Sequence, residues 1–272
     1  MVTLRIPATE HAAEQITPIG AVDTSDLRVA LNRMIFRGML FSCGAVAVGL
    51  HQVHRETSWA WAKFSARNLA LATGVEVKLF GLENLPSEPS VITPNHASHF
   101  DIAALLGFLP GNNRFASKRE LFKEPVLGIV MKTLGMIPID RDDPAESIAR
   151  LNRLENQEPF SLIMFPEGTR SPDGRMLPFR KGAFTLAIRL KRPIVPVAIH
   201  GTSGIMPRGA YLSILPGTVV IEVLPPIPTT DLSHDDRDWL RDETDRRIRE
   251  RLAAAARAEP VDPVSQSEGS DG

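Results

Sequence analysis

The sequence predicts an α/β fold: a mostly parallel sheet of about seven strands flanked by helices, preceded by a helical pair. Three observations carry that expectation. Short apolar runs recur from Gly74 onward, segments of helical spacing separate them, and several runs are apolar on both faces. A strand lying between two helical layers must be apolar on both faces, and strands alternating with helices build parallel sheets. A chain of 272 residues can bury such a core without disulfides or metals. Its single Cys43 can form neither an internal disulfide nor a thiolate zinc site, which fits a reducing compartment.

The predicted strands are 75–80, 90–93, 114–117, 136–139, 160–165, 194–199 and 219–224. Helical spacing marks 102–108, 125–134, 145–157 and 181–190 between them, which places one core domain over 74–230. A charged C-terminal helix follows over 231–258. Ser233 and Asp236 start it in capping-box spacing, with acids early (Asp235, Asp238) and bases late (Arg246, Arg247, Arg249, Arg251), as the helix dipole favours. Leu240, Thr244, Ile248 and Leu252 give it one thin buried face. Residues 259–272, rich in Ser, Pro and Gly, read as a disordered tail.

Residues 1–26 lack the charged start and apolar run of a secretory signal and read as a flexible segment. Residues 27–73 read as a helical pair. Only 13 uncharged residues follow Arg37, whereas a spanning helix needs roughly 17–25, so a buried or partly inserted helix fits at least as well. Arg28, Arg33 and Arg37 would favour anionic headgroups. In 56–73, Trp59, Ala62, Ala66 and Leu69 recur at helical spacing, and Trp59 and Trp61 suit a membrane–water boundary. These residues alone support membrane attachment and a hairpin packed on a soluble core equally. Thirty-one basic against 32 acidic residues form no polycation, so nucleic acid is not an expected partner.

Chemistry concentrates at strand ends, where open α/β sheets bind ligands. In Thr93-Pro-Asn-His-Ala-Ser-His-Phe-Asp101, His96 can act as a general base, because imidazole titrates near neutral pH. Asp101, five positions on, can turn back to the ring and hold its tautomer. Ser98 and Asp101 equally form a capping box, and the two roles are compatible. A metal held by His96, His99 and Asp101, as in a metal-dependent hydrolase, is the minor alternative, with no second histidine cluster downstream.

The second constellation is Phe165-Pro-Glu-Gly-Thr-Arg-Ser171. Gly168 permits close approach of the backbone to a ligand, Arg170 offers a planar fork for phosphate, and Glu167 can order substrate hydroxyls or neighbouring groups. A polar turn would account for Gly and Pro but not for Glu and Arg beside Gly168-Thr169. Gly135-Met-Ile-Pro-Ile-Asp-Arg141 ends another strand, with Arg141 a further anion ligand or a partner of nearby acids. Lys118 and Lys181 are phosphate contacts or ordinary solvated lysines. No G-x-S-x-G elbow, P-loop or G-x-G-x-x-G is present, and no Ser or Cys is set as a nucleophile.

Together these residues resemble the glycerophospholipid acyltransferase superfamily, whose familiar members are the bacterial lysophosphatidic acid acyltransferases. His96 and Asp101 match its His-x4-Asp motif, with Asn95 before it. Gly135 to Arg141 match the second motif apart from Pro138, Phe165 to Ser171 the third, and Ile194 to Val197 the fourth, so the resemblance spans about residues 75–225. It implies that His96, oriented by Asp101, deprotonates an acceptor hydroxyl as it attacks a thioester carbonyl, without an acyl-enzyme. It implies that Arg170, Arg141 and Lys118 hold the acceptor phosphate, with Glu167, Gly168 and Thr169 shaping the pocket. The expected acceptor is lysophosphatidic acid, with another lyso-lipid such as lyso-ornithine lipid the alternative. The expected partners are membrane lipid and acyl-CoA or acyl-carrier protein, the latter two as co-substrate, with no cofactor or metal. The resemblance also favours membrane attachment for residues 27–73, as a membrane-associating helical pair, and the expected place is the cytoplasmic face of the cell membrane, peripheral or monotopic.

Overall fold

The computed structural model describes residues 31, 34, 55–124, 127–133, 135–140, 144–207 and 213–258. Segments 1–26 and 259–272, the first helix of the predicted pair apart from residues 31 and 34, and Arg141 therefore lie outside the described residues. The second helix of the pair is present as α1 (Arg55–Ala72). The core then runs β1 (Val75–Phe80), β2 (Val91–Pro94), α2 (Phe100–Phe108), β3 (Asn113–Lys118), α3 (Leu127–Thr133) and β4 (Ile137–Ile139). It continues with α4 (Pro144–Glu155), β5 (Ser161–Ile163), α5 (Gly182–Leu190), β6 (Ile194–His200), α6 (Thr202–Ile205), β7 (Gly217–Val223) and α7 (Arg237–Ala258).

Seven strands form one sheet in the order β1-β7-β6-β2-β5-β3-β4. All neighbours are parallel except β6 and β7, which run antiparallel with Val197 opposite Val223. Strands β2 and β6 carry the most apolar runs and lie centrally, as strands covered on both faces must. One face is closed by α1 and α2, which bury Ala62, Ala66, Ala70, Phe100, Ala104 and Leu105 against Ile92, Val195 and Val197. Small residues let these two helices approach closely: a Cβ on Gly107 of α2 would stand 3.2 Å from the Ala66 Cβ. The other face is closed by α4 and α5 over Leu162, and by α7, whose Leu240 and Ile248 join Val91 and Ala198. Full burial of one such Leu or Ile contributes about 1.5–3 kcal/mol.

The strand ends lie within two residues of the predicted ones: β1 coincides, and β5 shrinks from the predicted 160–165 to Ser161–Ile163. The reason is local: Phe165 and the residues after it leave the ladder to build a loop. Short helix α6 has no counterpart in the prediction. It forms because Gly201, at φ +84°, turns the chain sharply after β6, where a Cβ would meet the Thr218 carbonyl oxygen at 2.2 Å. The predicted capping box of α7 is present, Asp236 Oδ2 accepting the Ser233 backbone N–H at 2.7 Å. Leu240, Thr244 and Ile248 are buried, as the thin apolar face requires.

Candidate active site

The site grows from the carboxyl end of β2. Pro94 has no N–H to continue the ladder. Asn95 continues it with its side chain instead, donating Nδ2 to the Ile199 carbonyl at 3.0 Å and accepting the Ile199 N–H at 2.7 Å. This clamp to β6 fixes where His96 emerges. Ser98 Oγ donates to the Met206 carbonyl and accepts the Phe100 N–H, anchoring the start of α2.

His96 and Asp101 meet as the spacing predicts: Nδ1 lies 2.8 Å from Asp101 Oδ2. The same oxygen accepts the backbone N–H groups of Ala97 and Ser98, both at 2.9 Å. Asp101 thus partners the imidazole and ties down the backbone ahead of α2, but only half of the capping box forms, because Ser98 Oγ accepts the Phe100 N–H rather than that of Asp101. The carboxylate is fully buried, and Oδ1 finds no hydrogen-bond partner among the described residues. With Nδ1 facing a carboxylate, the ring carries its Nδ1 proton and leaves Nε2 as the basic nitrogen.

The loop after β5 forms the second wall. Phe165 stacks on the His96 ring, centroids 3.9 Å apart and planes 20° from parallel, and Phe115 lies behind it at 6.3 Å. Glu167 is buried, and its two oxygens accept backbone N–H groups from opposite sides, His96 at 2.6 Å and Leu177 at 2.9 Å. Burial raises its pKa, opposed by those two bonds. The sequence offered Glu167 as a ligand for substrate hydroxyls or as an organiser of its neighbours. In the structure both oxygens are already engaged, and the side chain braces the histidine loop. The Ser171 N–H donates to the His96 carbonyl at 2.9 Å, a third tie between the two loops.

Gly168 turns this loop at φ +70°, and its N–H donates to the Phe165 carbonyl at 3.1 Å. Thr169 beside it is exposed. Arg170 is half-buried and makes no ion pair among the described residues. It faces His99, which sits at the rim. Partial burial lowers the His99 pKa first, and the charge of Arg170 and then that of His96 lower it further. Lys118 ends β3 at the same sheet edge, two strands from β2, hence about 10 Å across the ladder. Lys181 is committed elsewhere, with Nζ 2.9 Å from Asp238 of α7. Asp140 pairs with Arg119. No group of three or more His, Cys, Asp or Glu side chains among the described residues is placed to hold a metal ion.

Sequence reasoning did not single out Phe165 or the clamp of Asn95. An aromatic such as Phe165 at a strand end reads as core, and only the tertiary fold lays it on His96.

Fold and site define an α/β domain with a buried His–Asp pair at the carboxyl edge of its sheet and, near the rim residue His99, an arginine without an ion pair among the described residues. Residues 76–200 match the family model described as Acyltransferase. Residues 76–200 belong to that family. The chain is 42% identical over 151 residues to the chloroplastic 1-acyl-sn-glycerol-3-phosphate acyltransferase BAT2 of Brassica napus, covering 54% of this chain and 44% of that protein. It is 35% identical over 205 residues to the 1-acyl-sn-glycerol-3-phosphate acyltransferase of Saccharomyces cerevisiae, covering 74% and 66%. The human 1-acyl-sn-glycerol-3-phosphate acyltransferase alpha is 33% identical over 173 residues, covering 62% and 61%. The chain thus spans from under half to about two thirds of the length of these relatives. The crystal structure of the 1-acyl-sn-glycerophosphate (LPA) acyltransferase PlsC from Thermotoga maritima shares the fold, with a TM-score of 0.68 and 24% identity over 87% of this chain and 99% of that one.

Proposed function

We propose that this protein transfers a fatty acyl group from a thioester, acyl-CoA or acyl-carrier protein, to the free hydroxyl of lysophosphatidic acid, giving phosphatidic acid. The observation that carries the reading is the 2.8 Å contact between His96 Nδ1 and buried Asp101, which leaves Nε2 as a base. Relatives named as 1-acyl-sn-glycerol-3-phosphate acyltransferases support the choice of substrate.

In this scheme Nε2 takes the hydroxyl proton as the oxygen attacks the thioester carbonyl. The C–S bond then breaks, and the thiolate leaves with the proton from the imidazolium. Asp101 stabilises that imidazolium through Nδ1. Arg170 holds the acceptor phosphate, assisted by Lys118 and Arg141, while Gly168 and Thr169 border the pocket. The N–H groups of His96, Ala97 and Ser98 are engaged by Glu167 and Asp101, so the oxyanion draws on other donors. No cofactor or metal enters the scheme.

Because the acceptor is a membrane lipid, we place the enzyme at the cytoplasmic face of the cell membrane, held peripherally or monotopically. Exposed Phe64 and Leu71 on α1 support that placement. No helix among the described residues is long and apolar enough to cross a membrane.

The test is thiol release from long-chain acyl-CoA with lysophosphatidic acid as acceptor. His96→Ala is expected to lower turnover about a hundredfold or more while the protein stays folded. Near-wild-type turnover would remove His96 from the mechanism. Release with lyso-ornithine lipid but not with lysophosphatidic acid would change the acceptor and keep the chemistry.

A further inference from the structure

We infer that the 3₁₀ turn Arg119–Lys123 together with α3 forms a second membrane contact, beside α1, which seats the rim of the active site on an anionic lipid surface. The inference extends the reading above, in which the acceptor is a lipid, but it is testable without turnover.

Large apolar side chains meet solvent at few places. From residue 55 onward, those exposed among the described residues are Phe64 and Leu71 on α1, Leu121 on the 3₁₀ turn, Ile129 on α3 and Trp239 on α7. Leu121 is 37% and Ile129 54% exposed, although Phe122 and Met131 beside them are buried. The segment is therefore folded against the core with one apolar side chain of each piece turned outward.

Sheet order and handedness decide which face this is. The chain steps from β2 through α2 to β3, and then through α3 to β4, in one direction along the sheet. It returns through α4 to β5 and through α5 to β6 in the other. Parallel crossovers are right-handed, so α3 shares the face of α2, and α4 and α5 take the opposite face. The packing agrees, with α2 joining α1 in one cluster while α4 and α5 contribute to others. Four of the five exposed apolar side chains thus lie on a single helical layer.

The opposite face is built for water. Along α7, Arg246 pairs with Glu243 and Glu250, and Arg249 with Asp245. Most of the exposed apolar side chains thus lie opposite the most densely ion-paired helix, an arrangement that suits contact with a bilayer on one side.

Charge and position narrow the occupant further. Lys118, Lys123 and Lys132 make no ion pair among the described residues, against Glu120 and Glu124 on the same stretch. Arg119 is held by Asp140 and Glu146. Lysine stems lie along apolar surface while their ammonium groups reach headgroups, which favours anionic lipid. The turn begins where β3 ends, at the same sheet edge as His96, so a lipid leaving the bilayer at this rim has a short path to the base.

The test is flotation of the full chain with phosphatidylcholine vesicles, with and without phosphatidylglycerol. The combined Leu121→Glu and Ile129→Glu variant is expected to bind phosphatidylglycerol vesicles about tenfold more weakly, the order expected for removing two apolar anchors. Trp239→Glu on the opposite face should bind as wild type. Leu121→Gln with Ile129→Gln serves as the milder pair if the glutamates unfold the segment, with circular dichroism checking the fold. Unchanged vesicle binding by folded variants, or equal loss in Trp239→Glu, would overturn the inference. So would a wild-type dimer that the substitutions split while lipid binding persists, because the patch would then join two copies. Loss of vesicle binding stands as a result even where no acyl transfer is detected.

Discussion

Asp101→Asn isolates the charge of the buried carboxylate from its geometry. In the wild type Oδ2 accepts three N–H groups, from His96 Nδ1, Ala97 and Ser98, at 2.8, 2.9 and 2.9 Å, while Oδ1 has no partner among the described residues. With the amide oxygen of Asn in the Oδ2 position, all three bonds survive as neutral ones, and an NH₂ group is buried at the unpartnered position. An unsatisfied buried donor costs about 1–3 kcal/mol, enough to lower Tm by about 2–8 °C in a chain of this size. Turnover loses more. Two unit charges about 4 Å apart interact by about 4 kcal/mol at an effective dielectric near 20. Asn cannot offer this attraction to the imidazolium, so turnover should fall by roughly two to three powers of ten. The assay is the initial rate of thiol release from acyl-CoA with lysophosphatidic acid, beside a thermal melt of the same preparation. A folded Asp101→Asn protein working within about threefold of wild type would refute the role of the carboxylate.

Two further outcomes follow from neighbouring groups. Phe165→Leu removes the ring stacked on His96 and should lower turnover by about three- to tenfold, while Phe165→Tyr keeps the ring and most of the rate; equal losses in both would mean the ring is not what matters. His200 titrates at about 4, because burial and then the nearby Arg251 charge disfavour its protonated form. A depressed histidine leaves stability intact above about 6.5 and removes it as pH falls towards 4, because the unfolded chain binds the proton first. The shift corresponds to about 3 kcal/mol, so His200→Gln should flatten the decline of Tm between pH 6.5 and 4. An unaltered decline would remove His200 as its cause.

The sequence by itself determined the alternation of strands and helices, because apolar runs buried on both faces and segments of 3.6-residue spacing are local signals. It put Asp101 within reach of His96 for the same reason, five residues across a strand end and the first turn of a helix, while the 2.8 Å contact itself is a finding of the structure. The capping box of Ser233 and Asp236 is equally local. The tertiary structure alone decided that β7 enters between β1 and β6, antiparallel to β6, since sheet order depends on how the chain packs rather than on any run of residues. It alone brought Glu167, 71 residues beyond His96, into contact with the His96 backbone, which turned a suspected substrate ligand into a brace. It laid Phe165 on the imidazole and drew Lys181 to Asp238, away from the site. Each of these is a contact between segments far apart in the chain. Such contacts are set by packing and burial, and residue spacing carries no record of them.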